Sequence, residues 1–154
     1  MQIATQSSTS FQNPLGASPL IFPIVECFHI AGFILTVGTI ALVDFRLLNW
    51  AMRKQTPAEL AEDTSLWTLA GLVLAVCSGF LLYSGDPDHY YTSVSFLVKM
   101  ACLIFAIFFH YTVQRKVVLA GAPESKTKAV AYVSLGSWVA VIFGAIFIAF
   151  GPSV

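Results

Sequence analysis

The chain has 154 residues, of which 57% are hydrophobic and only 10% are charged. A soluble domain usually carries about a quarter charged residues, so this composition excludes an ordinary water-soluble globule. Eight basic and eight acidic side chains give a formal net charge of zero, which excludes the basic surface typical of proteins that bind nucleic acid. The composition indicates a membrane protein whose first partner is the lipid bilayer.

Residues 1–18 are polar, rich in Ser, Thr and Gln, and contain no Lys or Arg. A secretory signal peptide begins with a basic segment followed directly by an apolar one, so we expect a retained polar tail. Four apolar stretches follow within residues 19–154, each long enough to cross about 30 Å of hydrocarbon as a helix. They cover about residues 19–48, 66–83, 92–113 and 129–150.

No strand-like alternation competes with these four stretches, and backbone groups in lipid are satisfied only in helices or closed barrels. The connections are short, so consecutive helices should pack as antiparallel neighbours. The predicted fold is therefore all-α, a transmembrane four-helix bundle.

The distribution of basic residues predicts the orientation of this bundle. Seven of the eight lie at or between the ends of helices 1 and 2 or of helices 3 and 4: Arg46, Arg53, Lys54, Arg115, Lys116, Lys126 and Lys128. By the positive-inside rule these ends are cytoplasmic and both termini lie outside. We expect a multi-pass membrane protein. The exception is Lys99, which lies inside the third helix.

Ionisable side chains in the middle of a membrane helix cost at least about 2.5–3.5 kcal/mol on insertion scales, so each requires a partner or a function. The first and third predicted helices contain six of them: Glu26, His29, Asp44, Arg46, Lys99 and His110. The second and fourth have none in their apolar spans. Helical geometry puts Lys99 and His110 on one face, eleven residues apart. We expect the polar stripes of helices 1 and 3 to face each other, shielded by helices 2 and 4.

Histidines on facing transmembrane helices are a common means of holding a b-type haem through neutral imidazole nitrogens. His29 and His110 are therefore candidate metal ligands, with haem b as the expected cofactor. Two alternatives stay open for this pair. The histidines would form a hydrogen-bonded packing contact or proton relay, or they would bind another metal.

The depth of the two histidines complicates a shared iron. At 1.5 Å per residue, His29 and His110 are offset by about 16 Å along the membrane normal, which one iron accommodates only if the helices slide or tilt. Lys99 lies at the depth of His29. In a second geometry His29 is the sole protein ligand, with Lys99 close to the iron or a propionate. His110 then joins Asp44 and Arg46 in an inner polar cluster or binds a second cofactor.

His89 lies in the predicted outer loop and has two interpretations. The first is an interfacial loop with flanking aromatic residues. The second is an external copper or zinc site with Glu26, Cys27 or His29, because Cys, His and carboxylate groups suit those metals.

The segment Phe28-His29-Ile30-Ala31-Gly32 leading to Asp44-Phe45-Arg46-Leu47 resembles the first core helix of the HemJ-type protoporphyrinogen oxidases. Phe96-Leu97-Val98-Lys99 followed by Phe109-His110-Tyr111 is similar to the Lys-then-His helix of that family, and the CopD membrane domains share a related helical pattern. The resemblance covers about two of the four helices. It implies a b-haem at His29, with Arg46, Lys99 and His110 as functional companions.

Three functions follow as hypotheses. The first is a haem b protein that transfers electrons, with a quinone, a redox partner protein or a membrane complex as its counterpart. The second is a HemJ-like oxidase of a porphyrinogen, a haem-dependent oxidoreductase in which Arg46 or Lys99 binds substrate carboxylates. The third has no redox chemistry: a metal- or proton-handling protein, or an accessory subunit or homo-oligomer. No Walker or nucleophile-elbow motif occurs, so ATP-driven or hydrolytic work is not expected.

Overall fold

The structure, a computed structural model, describes residues 20–85 and 93–150, with side chains described as far as Ile148. Within these residues the chain forms four long helices and no strand: α1, Ile21–Leu47; α2, Pro57–Gly85; α3, Val94–Leu119; and α4, Glu124–Phe150. All four are long and apolar enough to cross a membrane. The predicted all-α four-helix membrane bundle is thus confirmed. The polar tail and the loop that contains His89 lie outside the described residues.

The two ends of the bundle differ in what connects the helices. The α1–α2 and α3–α4 connections lie at one end, together with most of the basic residues, and we call this the basic end. At the other end α1 begins and α4 finishes, and we call this the terminal end. That the basic end is cytoplasmic stays a prediction of the positive-inside rule.

Helices α2, α3 and α4 extend beyond their predicted apolar spans at the basic end. For α2 the cause is a capping box: Thr56 Oγ1 accepts from the backbone N–H of Glu59 at 3.2 Å, and Glu59 Oε2 accepts from that of Thr56 at 2.9 Å. Pro57 in the first helical position adds a preset backbone angle. The polar first turn of α2 is helical because it is capped, although its hydropathy is too low to predict a membrane span there.

A close seam joins α1 and α2. A Cβ atom on Gly71 would lie 2.8 Å from the carbonyl oxygen of Gly32 and from the backbone nitrogen of Thr36, so the two backbones touch directly. One turn nearer the basic end, the hydroxyls of Thr39 and Thr68 are 2.8 Å apart. Small residues at such positions let membrane helices approach closely. The seam fixes the register of α1 against α2.

Helix α3 packs along α4, and α1 contacts both α2 and α4. The backbone of α2 approaches α3 through Arg115–Leu119 and not through Val94–Phe109, although both segments are described. The buried core lies towards the basic end and the middle of the bundle, and comprises Ile40, Val43, Leu47, Leu48, Leu60, Ala106, Val118, Ala131, Trp138 and Val141. The terminal half therefore contains the looser α2–α3 interface.

Candidate functional site

The terminal-half site is built around His29 of α1. Its Nδ1 lies 2.8 Å from the backbone carbonyl oxygen of Ala75 on α2. A carbonyl oxygen only accepts hydrogen bonds, so the proton of the neutral ring must be on Nδ1. Nε2 then carries the free lone pair that a metal ligand requires. Metal-binding histidines usually donate their other ring N–H to a carbonyl or carboxylate in this way.

Two further residues of α2 hold the His29 ring in place. Ser78 Oγ lies 3.3 Å from Nδ1 while it donates to the carbonyl oxygen of Leu74 at 2.6 Å. The ring lies over Gly79, where an added Cβ would be 2.9 Å from His29 Cε1. Only a glycine lets the ring lie this close to the α2 backbone.

Lys99 of α3 adds a positive charge near this site. Its ammonium lies within electrostatic range of the His29 ring, as does the carboxylate of Glu26. Among residues 20–85 and 93–150, no hydrogen bond or ion pair neutralises Lys99. Its backbone packs against Gly144 of α4, where a Cβ would be 3.0 Å from Lys99 Cβ. A half-buried cation in a membrane helix suits an anionic group of a ligand.

The expected role of α2 as a mere shield for the His29 site is wrong. Ala75 and Ser78 of α2 supply the hydrogen-bond partners of His29, because the glycine seam brings the α2 backbone against α1 at this level. The expectation that the stripes of helices 1 and 3 face each other is met at the basic end, where side chains of Asp44 and Gln114 join the two helices.

The basic-half cluster connects three side chains in a row. His110 Nδ1 lies 2.7 Å from Gln114 Oε1, and Gln114 Nε2 donates to Asp44 Oδ1 at 2.5 Å. His110 and Gln114 are the first and last residues of the π-helical turn in α3, a rare conformation that is frequent at functional sites. His110 is thus associated with Asp44, as predicted, and Gln114 bridges the two side chains.

Arg46 was predicted to join Asp44 and His110 in an inner polar cluster, and this prediction is wrong. Its Nε donates to the carbonyl oxygen of Gln55 at 2.6 Å, and its Nη1 donates to Asn49 Oδ1 at 3.0 Å. Asn49 has a left-handed backbone angle, φ 60°, which turns the loop so that it can receive the guanidinium. Arg46 thus lines a cavity of about 350 Å³ at the basic end.

The structure places His29 and His110 in separate clusters. Asp44 follows His29 by fifteen residues on α1, which is a rise of about 22 Å towards the basic end. Gln114 of α3 contacts Asp44. His110 lies about one helical turn from Gln114, towards the terminal end. The two imidazoles therefore remain about 16 Å apart along the bundle. Each has its own hydrogen-bond partner, and they do not converge on one iron.

The ligand chemistry at His29 suits a b-haem better than that at His110. At His29 the ring orientation, the free Nε2 and the nearby Lys99 match an axial ligand and a partner for a propionate. His110 borders a crevice of about 20 Å³ with Thr39, Thr68 and Gln114, which has room for water but not for a macrocycle. Arg46 lies about 25 Å from His29 along α1 and belongs to the loop.

Another metal has no group of ligands among the residues that the structure describes. Among the described residues, no three side chains of His, Cys, Asp or Glu come together in a way that could hold a metal ion. The external site proposed with Glu26, Cys27 or His29 included His89, which lies outside the described residues.

A family model described as a family of unknown function (DUF6644) matches residues 11–151, which is most of the chain. The chain belongs to this family. No curated protein and no solved structure matches it. The match extends over all four helices and therefore includes both clusters.

Sequence reasoning missed Ala75, Ser78, Gly79 and Gln114. Gln114 left a signal, because it follows His110 by four residues, a spacing at which helical side chains meet. Ser78-Gly79 is a polar and small pair inside an apolar stretch, a weaker signal. Ala75 contributes only its backbone carbonyl, and no side-chain pattern identifies such a partner.

Proposed function

We propose that this protein is a haem b-binding electron-transfer protein of the bacterial inner membrane, with His29 as the axial ligand. The observation that carries the proposal is the hydrogen bond from His29 Nδ1 to the Ala75 carbonyl oxygen. It fixes the tautomer and leaves Nε2 available, as in other metal-binding histidines. The resemblance of the His29 and Lys99 segments to the HemJ-type helices supports the same cofactor.

The remaining residues of the site have distinct parts in this proposal. Gly79 lets the ring lie against α2, and Ser78 restrains its rotation. Lys99 would pair with a propionate, because its ammonium is close to His29 and has no neutralising partner among the described residues. When bound, the haem would supply the one-electron chemistry. A quinone or a subunit of a membrane complex would exchange the electron.

The test is the haem content of the purified full-length protein and two variants expressed with ample haem. His29→Ala should lose the haem, because no other described side chain replaces its Nε2. His110→Ala is the matched control and should retain it, because its partners form a separate cluster. Full haem content in His29→Ala would overturn the ligand assignment.

HemJ-like oxidation of a porphyrinogen is a second candidate function. The environment of Lys99 favours it. A half-buried ammonium without a carboxylate partner among the described residues suits a substrate carboxylate as well as a propionate. Rescue of a strain that lacks its own protoporphyrinogen oxidase would support this activity if Lys99→Met abolished the rescue and kept the haem. Failure of the wild-type chain to rescue would leave electron transfer as the function.

A further inference from the structure

Asp44 is the most thoroughly buried carboxyl group that the structure describes. Its residue is 0% exposed, and the neighbouring Ser134 of α4 is 1% exposed. Oδ1 accepts the hydrogen bond from Gln114 Nε2, whereas Oδ2 has no hydrogen-bond partner among the described residues. The Ser134 hydroxyl lies beside this carboxyl and also has no partner there.

Among the residues that the structure describes, no positive charge faces the Asp44 carboxyl. Arg46 of α1 is directed to the loop, and His110 and Arg115 of α3 line the crevice on the far side of Gln114. The polar residues that α2 contributes to this crevice are uncharged, namely Thr64, Ser65 and Thr68, and so is Ser134 of α4 beside the carboxyl. An ionised carboxylate in this position would lack both water and a counter-ion, which is strongly unfavourable.

The Ser134 hydroxyl can donate to an ionised Oδ2, but this leaves the buried charge without water or a counter-ion, whereas a proton on the carboxyl removes the charge itself. A proton on Asp44 Oδ2 makes this oxygen a donor to Ser134 Oγ, while Oδ1 remains the acceptor for Gln114. We propose that Asp44 is a proton-binding site, which holds a proton in the state seen here and exchanges it with water from the crevice between α2 and α3. This proposal does not depend on a haem at His29.

The route for exchange runs past Gln114. The crevice lined by Thr39, Thr68, His110 and Gln114 has a volume of about 20 Å³, enough for a water molecule. Gln114 lines this crevice and also bonds to Asp44, and it lies in the π-helical turn, where backbone hydrogen bonding departs from the α-helix. When the Gln114 side chain rotates, water reaches the carboxyl. The Oδ2–H bond then breaks, the electron pair stays on the carboxylate, and the proton passes to water.

The test is infrared spectroscopy of the full-length protein in lipid vesicles at neutral pH. Exposed carboxyl groups are ionised there, so wild type should show the C=O band of a carboxylic acid from Asp44. Asp44→Asn should lose this band. Asp63→Asn, which removes an exposed carboxyl of α2, is the matched control and should keep it. The band should also shift after exchange into heavy water, because the site exchanges its proton.

Four results would contradict the proposal. If wild type shows no such band, or Asp44→Asn leaves the band unchanged, the proton is not on Asp44. A band that does not shift in heavy water would show a sealed structural group instead of an exchanging site. Ser134→Ala keeps the test decisive where Asp44→Asn does not fold. Loss of the acceptor for Oδ2–H should move the band to higher frequency, and an unmoved band also counts against the assignment.

Discussion

His29 and His110 are two half-buried histidines in one bundle, each with Nδ1 hydrogen-bonded, yet their partners differ in kind. The partner of His29 is the backbone carbonyl of Ala75, held rigidly by the glycine seam. The partner of His110 is the Gln114 side chain, which in turn contacts a buried carboxyl group. A fixed backbone acceptor presents Nε2 in one orientation, which suits a ligand. A side-chain acceptor can rotate, which suits the movement of protons.

We expect the largest difference between the two histidine sites from a substitution in the glycine seam, because this seam positions His29. Gly71→Ala would place a Cβ 2.8 Å from the backbone of α1, and such overpacking typically destabilises by about 1–3 kcal/mol. We expect a lower thermal midpoint in detergent and weaker haem binding together. Gly136→Ala, where no atom lies within 4 Å of the added Cβ, is the control. Equal midpoints for the two variants would contradict the direct backbone contact.

We expect a smaller effect from a substitution directly beside the His29 ring. Gly79→Ala would bring a Cβ to 2.9 Å from His29 Cε1, so the ring must move away from α2 and stretch its bond to Ala75. Loss of a hydrogen bond that orients a metal ligand typically costs about 10–100-fold in metal affinity. We expect a loss of this size in haem titrations, with thermal stability close to wild type. Unchanged affinity would mean that the ring position does not matter for binding.

Lys99→Met tests the charge near His29 without changing its hydrogen bond. Removal of a nearby positive charge disfavours the electron-rich reduced state, so the reduction potential should fall by on the order of tens of millivolts. Lys126→Met, which removes an exposed charge at the basic end, should leave the potential unchanged. Equal shifts of the reduction potential in both variants would indicate a general effect of net charge. They would contradict the assignment of Lys99 to a position near the haem.

The smallest effect is expected at the hydroxyl pair of the seam. Thr68→Val removes the contact with Thr39 at 2.8 Å, and hydrogen bonds between membrane helices average about 0.6 kcal/mol. Both hydroxyls also bond to carbonyls of their own helices, so the loss should not exceed this value. Thr112→Val, whose hydroxyl bonds only within α3, is the matched control in unfolding measurements.

The sequence predicts the four helices because apolar runs of this length have few alternatives in lipid. It also places His29 and Lys99 in one half of the bundle and His110 in the other, as the structure does, since position along a helix follows from residue count. The early start of α2 could have been predicted from the segment Thr56-Pro57-Ala58-Glu59, because it has the sequence pattern of a capping box. The π-helical turn and the Ala75 carbonyl were not predictable, because each depends on packing between helices that are distant in the sequence.

The most direct test of the central claim is the difference between the dithionite-reduced and air-oxidised absorbance spectra of the detergent-purified wild-type protein, expressed with ample haem. A haem held by His29 should give the sharp reduced α-band of a b-type cytochrome. A flat difference spectrum would contradict the account of the His29 site and would leave the Asp44 proton site as the function to pursue.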